Sequence, residues 1–153
     1  MGHVHHETLI EAPRERVFDL ARHVGAHVAT MPDEDAESER DLLELGDTVT
    51  FRQRQFGLPF ELTAEVTEFD RPRRFVDEQR SGVFGSLVHE HTFEEVPDGT
   101  RMVDDVHFTM PLGPLGRPAE PLARRRLAWL VAYHAAGLRR LSTGAEWRRF
   151  LDG

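Results

Sequence analysis

The sequence predicts an α+β fold, a curved antiparallel sheet of about six strands wrapped around one long C-terminal helix, with two short helices after the first strand. Two changes of period predict it. From Gly46 to Met110 apolar and polar residues alternate in runs parted by Gly57-Leu58-Pro59, Asp70-Arg71-Pro72 and Pro97-Asp98-Gly99, the pattern of an antiparallel meander. Beyond Pro111-Leu112-Gly113-Pro114 the period becomes helical: Leu127, Leu130, Val131, His134, Leu138 and Leu141 share one face over about 25 residues. A helix of that length has to cross the whole sheet.

The elements follow in order. The first strand runs to about Ile10. Ala12-Pro13 then opens a short helix, because the missing proline N–H costs nothing at the first helical position. Val17, Phe18, Ala21 and Val24 recur at helical spacing and dock that helix on the sheet. A second short helix follows Gly25 and ends before Met31-Pro32. The strands are expected over Thr48–Phe56, Phe60–Phe69, Arg74–Arg80, Leu87–Val96 and Arg101–Met110. Residues 33 to 47 carry eight acids against Arg40 alone, which reads as a solvated connection or a loosely packed helix. No repeat interrupts the order, and 153 residues suit a single domain, 1–153, with one core.

Composition narrows the function. A net charge of -8 argues against nucleic acid, which is bound through a basic footprint. All 19 basic residues are arginine, so Schiff-base chemistry on a lysine is excluded, and the absence of cysteine excludes disulfides and thiolate sites. No apolar run is long enough to span a membrane. Met1 to His6 lacks an export-signal pattern, so a soluble protein of the cytoplasm is expected. Arginines 124–126, 139–140 and 148–149 dominate the C-terminal region and read as a solvated helix face, or as a surface for an acidic partner.

At this point the chain resembles the START-like superfamily, also called SRPBCC or birch-pollen-allergen-like. The resemblance rests on Ile10-Glu11-Ala12-Pro13, Phe75-Val76-Asp77-Glu78-Gln79, His89-Glu90-His91-Thr92-Phe93 and Gly99-Thr100-Arg101-Met102, and extends over the full length. The Pro-Leu-Gly-Pro-Leu-Gly linker at 111–116 is similar to that of a bacterial subgroup often labelled polyketide cyclase/dehydrase or lipid transport. The resemblance implies a helix-grip fold. A function still has to be argued from the site.

Strand alternation sorts the side chains. On the last strand Met102, Val106, Phe108 and Met110 carry Asp104 inward, while Asp105 and His107 point out. On the strand before it, solvated Glu90 and Glu94 place Leu87, His89, His91 and Phe93 inside. Phe75 takes Asp77 and Gln79 inward with it, and His134 faces them from the helix. Asp77 should lie opposite or diagonal to His89, within hydrogen-bond reach. A type I Pro97-Asp98-Gly99 turn with a glycine bulge would put Phe93 opposite Val103 and contradict these faces, so a second bulge near Glu94-Glu95 is expected to restore them.

The expected ligand site is therefore Phe51, Leu62, Phe75, Leu87, Phe93, Val106, Phe108 and Leu130 as walls, with Asp77, Gln79, His89, His91, Asp104 and His134 as polar groups. The leading expectation is non-catalytic binding of a lipid-like or polycyclic aromatic molecule with a polar handle. The alternative is a cyclase, aromatase or dehydratase using His89 or His91 with Asp77 as acid/base. A third reading is an interaction module on the arginine-rich helix. No cofactor and no metal are expected, since His89-x-His91 on a strand supplies only two ligands. His3, His5 and His6 sit at a chain end of the kind that is usually mobile, and are assigned no function. Whether Arg52 and Arg54 or Phe51 and Gln53 face inward is not settled by counting, and Trp129 and Tyr133 read as core or rim.

Overall fold

The computed structural model describes residues 1–55 and 57–151. The chain runs β1 (Gly2–Ile10), α1 (Arg14–Ala21), α2 (Val24–Ala29), β2 (Glu34–Ser38), β3 (Thr48–Gln55), β4 (Leu58–Asp70), β5 (Arg74–Ser81), β6 (Ser86–Val96), β7 (Gly99–Thr109), two single 3-10 turns, α3 (Glu120–Thr143) and α4 (Arg148–Leu151). The strands form one antiparallel sheet in the order β1-β7-β6-β5-β4-β3-β2. The meander, both short helices and the long helix lie where the two periods place them. The predicted end of the second strand at Phe56 falls outside the described residues.

Three expectations need correction. The sheet has seven strands, because the acidic stretch contributes β2 instead of a loose connection or helix. Ala36 turns inward against the apolar cluster around Leu43 and Val49, while Glu34 and Glu37 find partners on β3. The Gln53 amide donates to Glu34 at 2.6 Å, and Arg52 reaches Glu37 and Glu61, each at 3.2 Å. Those pairs offset the self-repulsion that the composition suggests. Arg52 and Arg54 are exposed, and Phe51 and Gln53 are the inward pair.

The second correction concerns register. The β6–β7 hairpin turns on Pro97-Asp98 alone, with Val96 opposite Gly99 and Phe93 opposite Met102, and the ladder continues without a shift to Ser86 and Thr109. The inward faces agree with no bulge at Glu94-Glu95. Gly99 sits at φ +144°, and a Cβ there would lie 2.2 Å from the Ile10 carbonyl oxygen, so the end of β1 can cross the hairpin only over a glycine. The register shifts lie instead between β4 and β5, at Thr63/Ala64 and Val66/Glu68. The third correction is the N-terminus, which is no loose end: Gly2 to Ile10 pair residue by residue with Phe108 to Thr100.

The core flanks a cavity. At one end Phe18 of α1 is fully buried, edge-on to Phe69, Phe75 and Phe93 at 5.6, 5.4 and 5.1 Å between centroids, arrangements aromatic rings favour. At the other end Val4, Leu87, Val106 and Phe108 pack against Val131 of α3. Among the described residues no helix is long and apolar enough to cross a membrane.

Candidate functional site

Between the inward face of β3–β7 and the first half of α3 lies a cavity of about 350 Å³, closed on one side by α2. That volume is in the range of small-molecule sites. Two short helices hold its lid in place. His23 accepts the Ala26 N–H through Nδ1 at 3.2 Å and so caps α2, and burial lowers its pKa and keeps the ring neutral. Arg22 donates to the Leu43 carbonyl at 3.1 Å and to Asp19 at 2.8 Å, tying α1 to the loop that leads into β3.

Ten of the fourteen expected residues line the cavity: Phe51, Leu62, Phe75, Asp77, Leu87, His89, His91, Val106, Leu130 and His134. The other four point inward without reaching it. Phe93 belongs to the core under Phe18, and Phe108 to the core under β1. Gln79 braces the β5–β6 loop, its amide donating to the Phe84 carbonyl at 2.9 Å and accepting from the Phe84 N–H at 3.3 Å. Asp104, 2 % exposed, lies behind His89 and His91. Alternation sorts faces, but it does not say how deep along a face the space begins.

The polar wall is a stack of rings threaded by two carboxylates. Phe75 and His91 are directly opposite in register and stack at 4.1 Å, and His89 stacks on the other face of His91 at 3.7 Å. Asp77 is opposite His89, as expected, yet its hydrogen bond runs diagonally to His91 Nε2 at 2.8 Å. One oxygen of Asp104 takes both His89 Nε2 at 2.8 Å and His91 Nδ1 at 3.2 Å. Burial works against a charged His91, but the bonds to Asp104 and Asp77 outweigh it and raise its pKa to about 9. The ring is therefore an imidazolium at neutral pH, donating from both nitrogens and lying over the face of Phe75, a favourable place for a cation. Burial likewise works against both carboxylates, and their histidine partners still hold Asp104 and Asp77 below the usual range.

A second polar group faces the first from the helices. Thr30 Oγ1 lies 2.9 and 3.0 Å from the carbonyls of Ala26 and His27 and 2.7 Å from His134 Nδ1. The hydroxyl has one proton, and with none between Oγ1 and the carbonyls their lone pairs would repel. The proton therefore points to a carbonyl, and Nδ1–H of His134 donates to Oγ1. Burial, with the neighbouring His27, pushes the His134 pKa well down, so the ring is neutral and its Nε2 is an acceptor. The His27 ring lies 4.7 Å from that of His134 and is held by a hydrogen bond to Glu34. His27, Glu34, Phe84, Leu127 and Val131 are cavity residues the sequence did not announce. Glu34 was hidden in the acidic block. Leu127 and Val131 were on the helical face but undistinguished from core.

Asp77, His89 and His91 are close enough in ligand atoms to suggest a metal site. Their arrangement does not fit one: the rings stack 3.7 Å apart in nearly parallel planes, which keeps their in-plane lone pairs from meeting at one point, and Asp104 already engages both imidazoles. On the arginine-rich helix, Arg124 pairs with Glu120 at 2.6 Å and Arg126 lies over Trp129 at 4.8 Å while lining the cavity, so this face is not a uniform strip of cations. Trp129 and Tyr133 are exposed and pack on each other, in neither the core nor the cavity lining.

An open antiparallel sheet closed by a long C-terminal helix is the helix-grip architecture of the START-like, birch-pollen-allergen-like class. The chain belongs to the polyketide cyclase / dehydrase and lipid transport family, whose model matches residues 1–146. Among solved structures it is similar to TTHA0849 from Thermus thermophilus, with a TM-score of 0.81, 20% identity and coverage of 94% of this chain and 99% of that one. It is also similar to CV1439 from Chromobacterium violaceum, with a TM-score of 0.73, 13% identity and coverage of 94% and 99%. The major latex-like protein 151 from Panax ginseng gives 0.66, 13%, 94% and 98%. No curated protein matches the sequence. At such identities the neighbours establish the fold, and the family supports a ligand-binding or cyclase role.

Proposed function

We propose that residues 1–153 act as one ligand-holding domain whose cavity takes a small, mainly apolar molecule with a polar handle that donates a hydrogen bond, such as a phenol or enol. The observation that carries this reading is what the polar wall has left to offer. Both N–H groups of His91 are committed to Asp77 and Asp104, His89 commits Nε2–H to Asp104, and His134 commits Nδ1–H to Thr30. What remains is acceptors: the Asp77 carboxylate, His89 Nδ1 and His134 Nε2. Along this wall a ligand that brought only a carbonyl would meet lone pairs, whereas a hydroxyl finds partners there.

The same wall favours a second reading. A buried carboxylate behind an imidazole whose other nitrogen is uncommitted is the arrangement of a general base held by an orienting acid. His89 Nδ1 would take a proton from carbon next to a ligand carbonyl and return it to oxygen, with Asp104 as its partner in place of the Asp77 that the strand order suggested. Native mass spectrometry of the purified chain, with extraction of retained small molecules, identifies the occupant. Fluorescence titration with 1-naphthol and naphthalene tests the handle: a bond to this charged wall predicts roughly tenfold or greater preference for the naphthol, and equal affinities refute it. Turnover of a poly-β-ketone thioester that is pH-dependent and lost in His89→Ala, with binding retained, selects the cyclase. Binding without turnover selects the carrier.

A further inference from the structure

The outer face of the sheet, turned away from the cavity, carries a second cluster. On β1, His3 and His5 are two apart and share the exposed face. Antiparallel pairing sets His5 opposite Asp105 and His3 opposite His107 on β7. The two imidazoles approach the same carboxylate oxygen: His3 Nε2 lies 3.0 Å and His5 Nδ1 2.7 Å from Asp105 Oδ1. The rings are inclined at 63°, so their planes cross, unlike those of the stacked pair inside the cavity, and both nitrogens point to the one Asp105 oxygen. We propose that His3 Nε2, His5 Nδ1 and the Asp105 carboxylate form a binding site for a divalent transition ion such as Zn²⁺, holding the edge strand β1 to β7.

Donor type and spacing both suit the ion. Imidazole nitrogen and carboxylate oxygen bind zinc at about 2.0–2.2 Å, which puts neighbouring donors of a tetrahedron roughly 3.3–3.5 Å apart. The two nitrogen–oxygen distances here, 3.0 and 2.7 Å, are shorter than that by about 0.3–0.8 Å, so the exposed side chains must swing apart by that much to admit the ion. All three ligand atoms lie within 4.8 Å of one another. The fourth position opens to solvent and takes water.

Two neighbours supply what metal-bound histidines usually have behind them. Glu7 lies 2.9 Å from His5 Nε2, accepts the proton there and leaves Nδ1 to the ion, the carboxylate–histidine–metal arrangement. His107 stacks flat on His3 at 4.2 Å and 5° and fixes that ring. His6, the remaining histidine of the N-terminal run, sits on the opposite face of β1 and takes no part. The alternation that separates His6 from His3 and His5 distinguishes a built site from a histidine-rich tail that chelates in any conformation.

The experiment is a Zn²⁺ titration of the purified 153-residue chain by calorimetry, with thermal melts with and without the ion and Co²⁺ absorption as a report of coordination. The expected result is one saturable site, a rise in Tm with the ion, and visible Co²⁺ bands of low-coordinate geometry. His5→Ala and Asp105→Ala are expected to weaken binding more than tenfold and to remove the Tm rise. Glu7→Gln should cost about tenfold, and His6→Ala should change nothing. All four positions are partly or largely exposed, and circular dichroism verifies that each variant is folded. Absence of saturable binding, affinity unchanged in Asp105→Ala, or affinity lost in His6→Ala would each overturn the proposal, the last by assigning the ion to a flexible tail.

Discussion

Replacing Asp104 by asparagine separates the charge of this carboxylate from its shape. Asp104 Oδ1 accepts from His89 Nε2 and His91 Nδ1 at once, and an asparagine oxygen of the same position can still accept both. The negative charge disappears, and the other oxygen becomes an NH₂ group. In the native chain His91 is held from its ordinary 6.5 up to about 9. That difference corresponds to about 3 kcal/mol of linkage between the proton and the fold. The folded state keeps the proton longer than the unfolded chain, so this stabilisation is whole below about pH 6.5, declines as pH rises, and is gone above about pH 9. Removing one partner of a buried ion pair typically costs about 3–5 kcal/mol. With Asp77 still bound to His91, about 3 kcal/mol is the expected loss, or roughly 6–12 °C in Tm for a chain of this size. Thermal melts of both proteins from pH 5.5 to 9.5, with NMR titration of the His91 ring, provide the measurement. The native protein should lose stability between about pH 6.5 and about pH 9, and Asp104→Asn should start lower, with a shallower slope and a lower His91 pKa. A variant melting within about 1 °C of the native protein, with the same slope and the same His91 titration, would refute the claim that Asp104 anchors the imidazolium.

Further substitutions probe other links in the structure. A Cβ on Gly137 would lie 2.7 Å from Thr30 Cβ, so Gly137→Ala should destabilise by about 1–3 kcal/mol despite the roughly 1 kcal/mol that alanine gains in a helix, and should disturb the Thr30–His134 bond, read by denaturant melts and by the His134 NMR signals. Phe18→Ala opens a void among three other rings and should cost about 3–5 kcal/mol, measured by urea unfolding. Leu127→Trp puts an indole into the cavity from α3. It should abolish naphthol binding while shifting stability by no more than about 1 kcal/mol, because the added bulk enters empty space.

Much of the fold was legible because its two periods are clean: Met102, Val106 and Phe108 step by two along β7, and Leu127 to Leu141 step by three and four along α3. What alternation could not supply was depth. Phe93 and Leu87 both carry an inward signal on β6, yet one meets Phe18 and the other lines the cavity, a difference set by where α1 docks. The hydrogen-bond partners were also out of reach. Strand pairing put Asp77 opposite His89, but Asp77 bonds diagonally to His91, and Asp104, directly opposite His91, also reaches diagonally to His89. Charge composition misled where it was strongest: the acids of 33–47 suggested a solvated segment, and only their pairing with Arg52 and Gln53 on a neighbouring strand reveals a place for them in the sheet.

That placement has a consequence for how the protein behaves at high concentration. The sheet is open, and β2 is one of its two margins, where unpaired backbone groups could template association with another copy. Asp35 and Glu37 on this short strand, flanked by Asp33 and Glu39, make any approaching β2 of a second molecule meet like charge along its whole length. The repulsion that argues against the segment as a strand within one chain acts between chains instead. It weakens as the carboxylates are protonated or screened by salt, so acid and high ionic strength are the conditions under which this margin becomes adhesive.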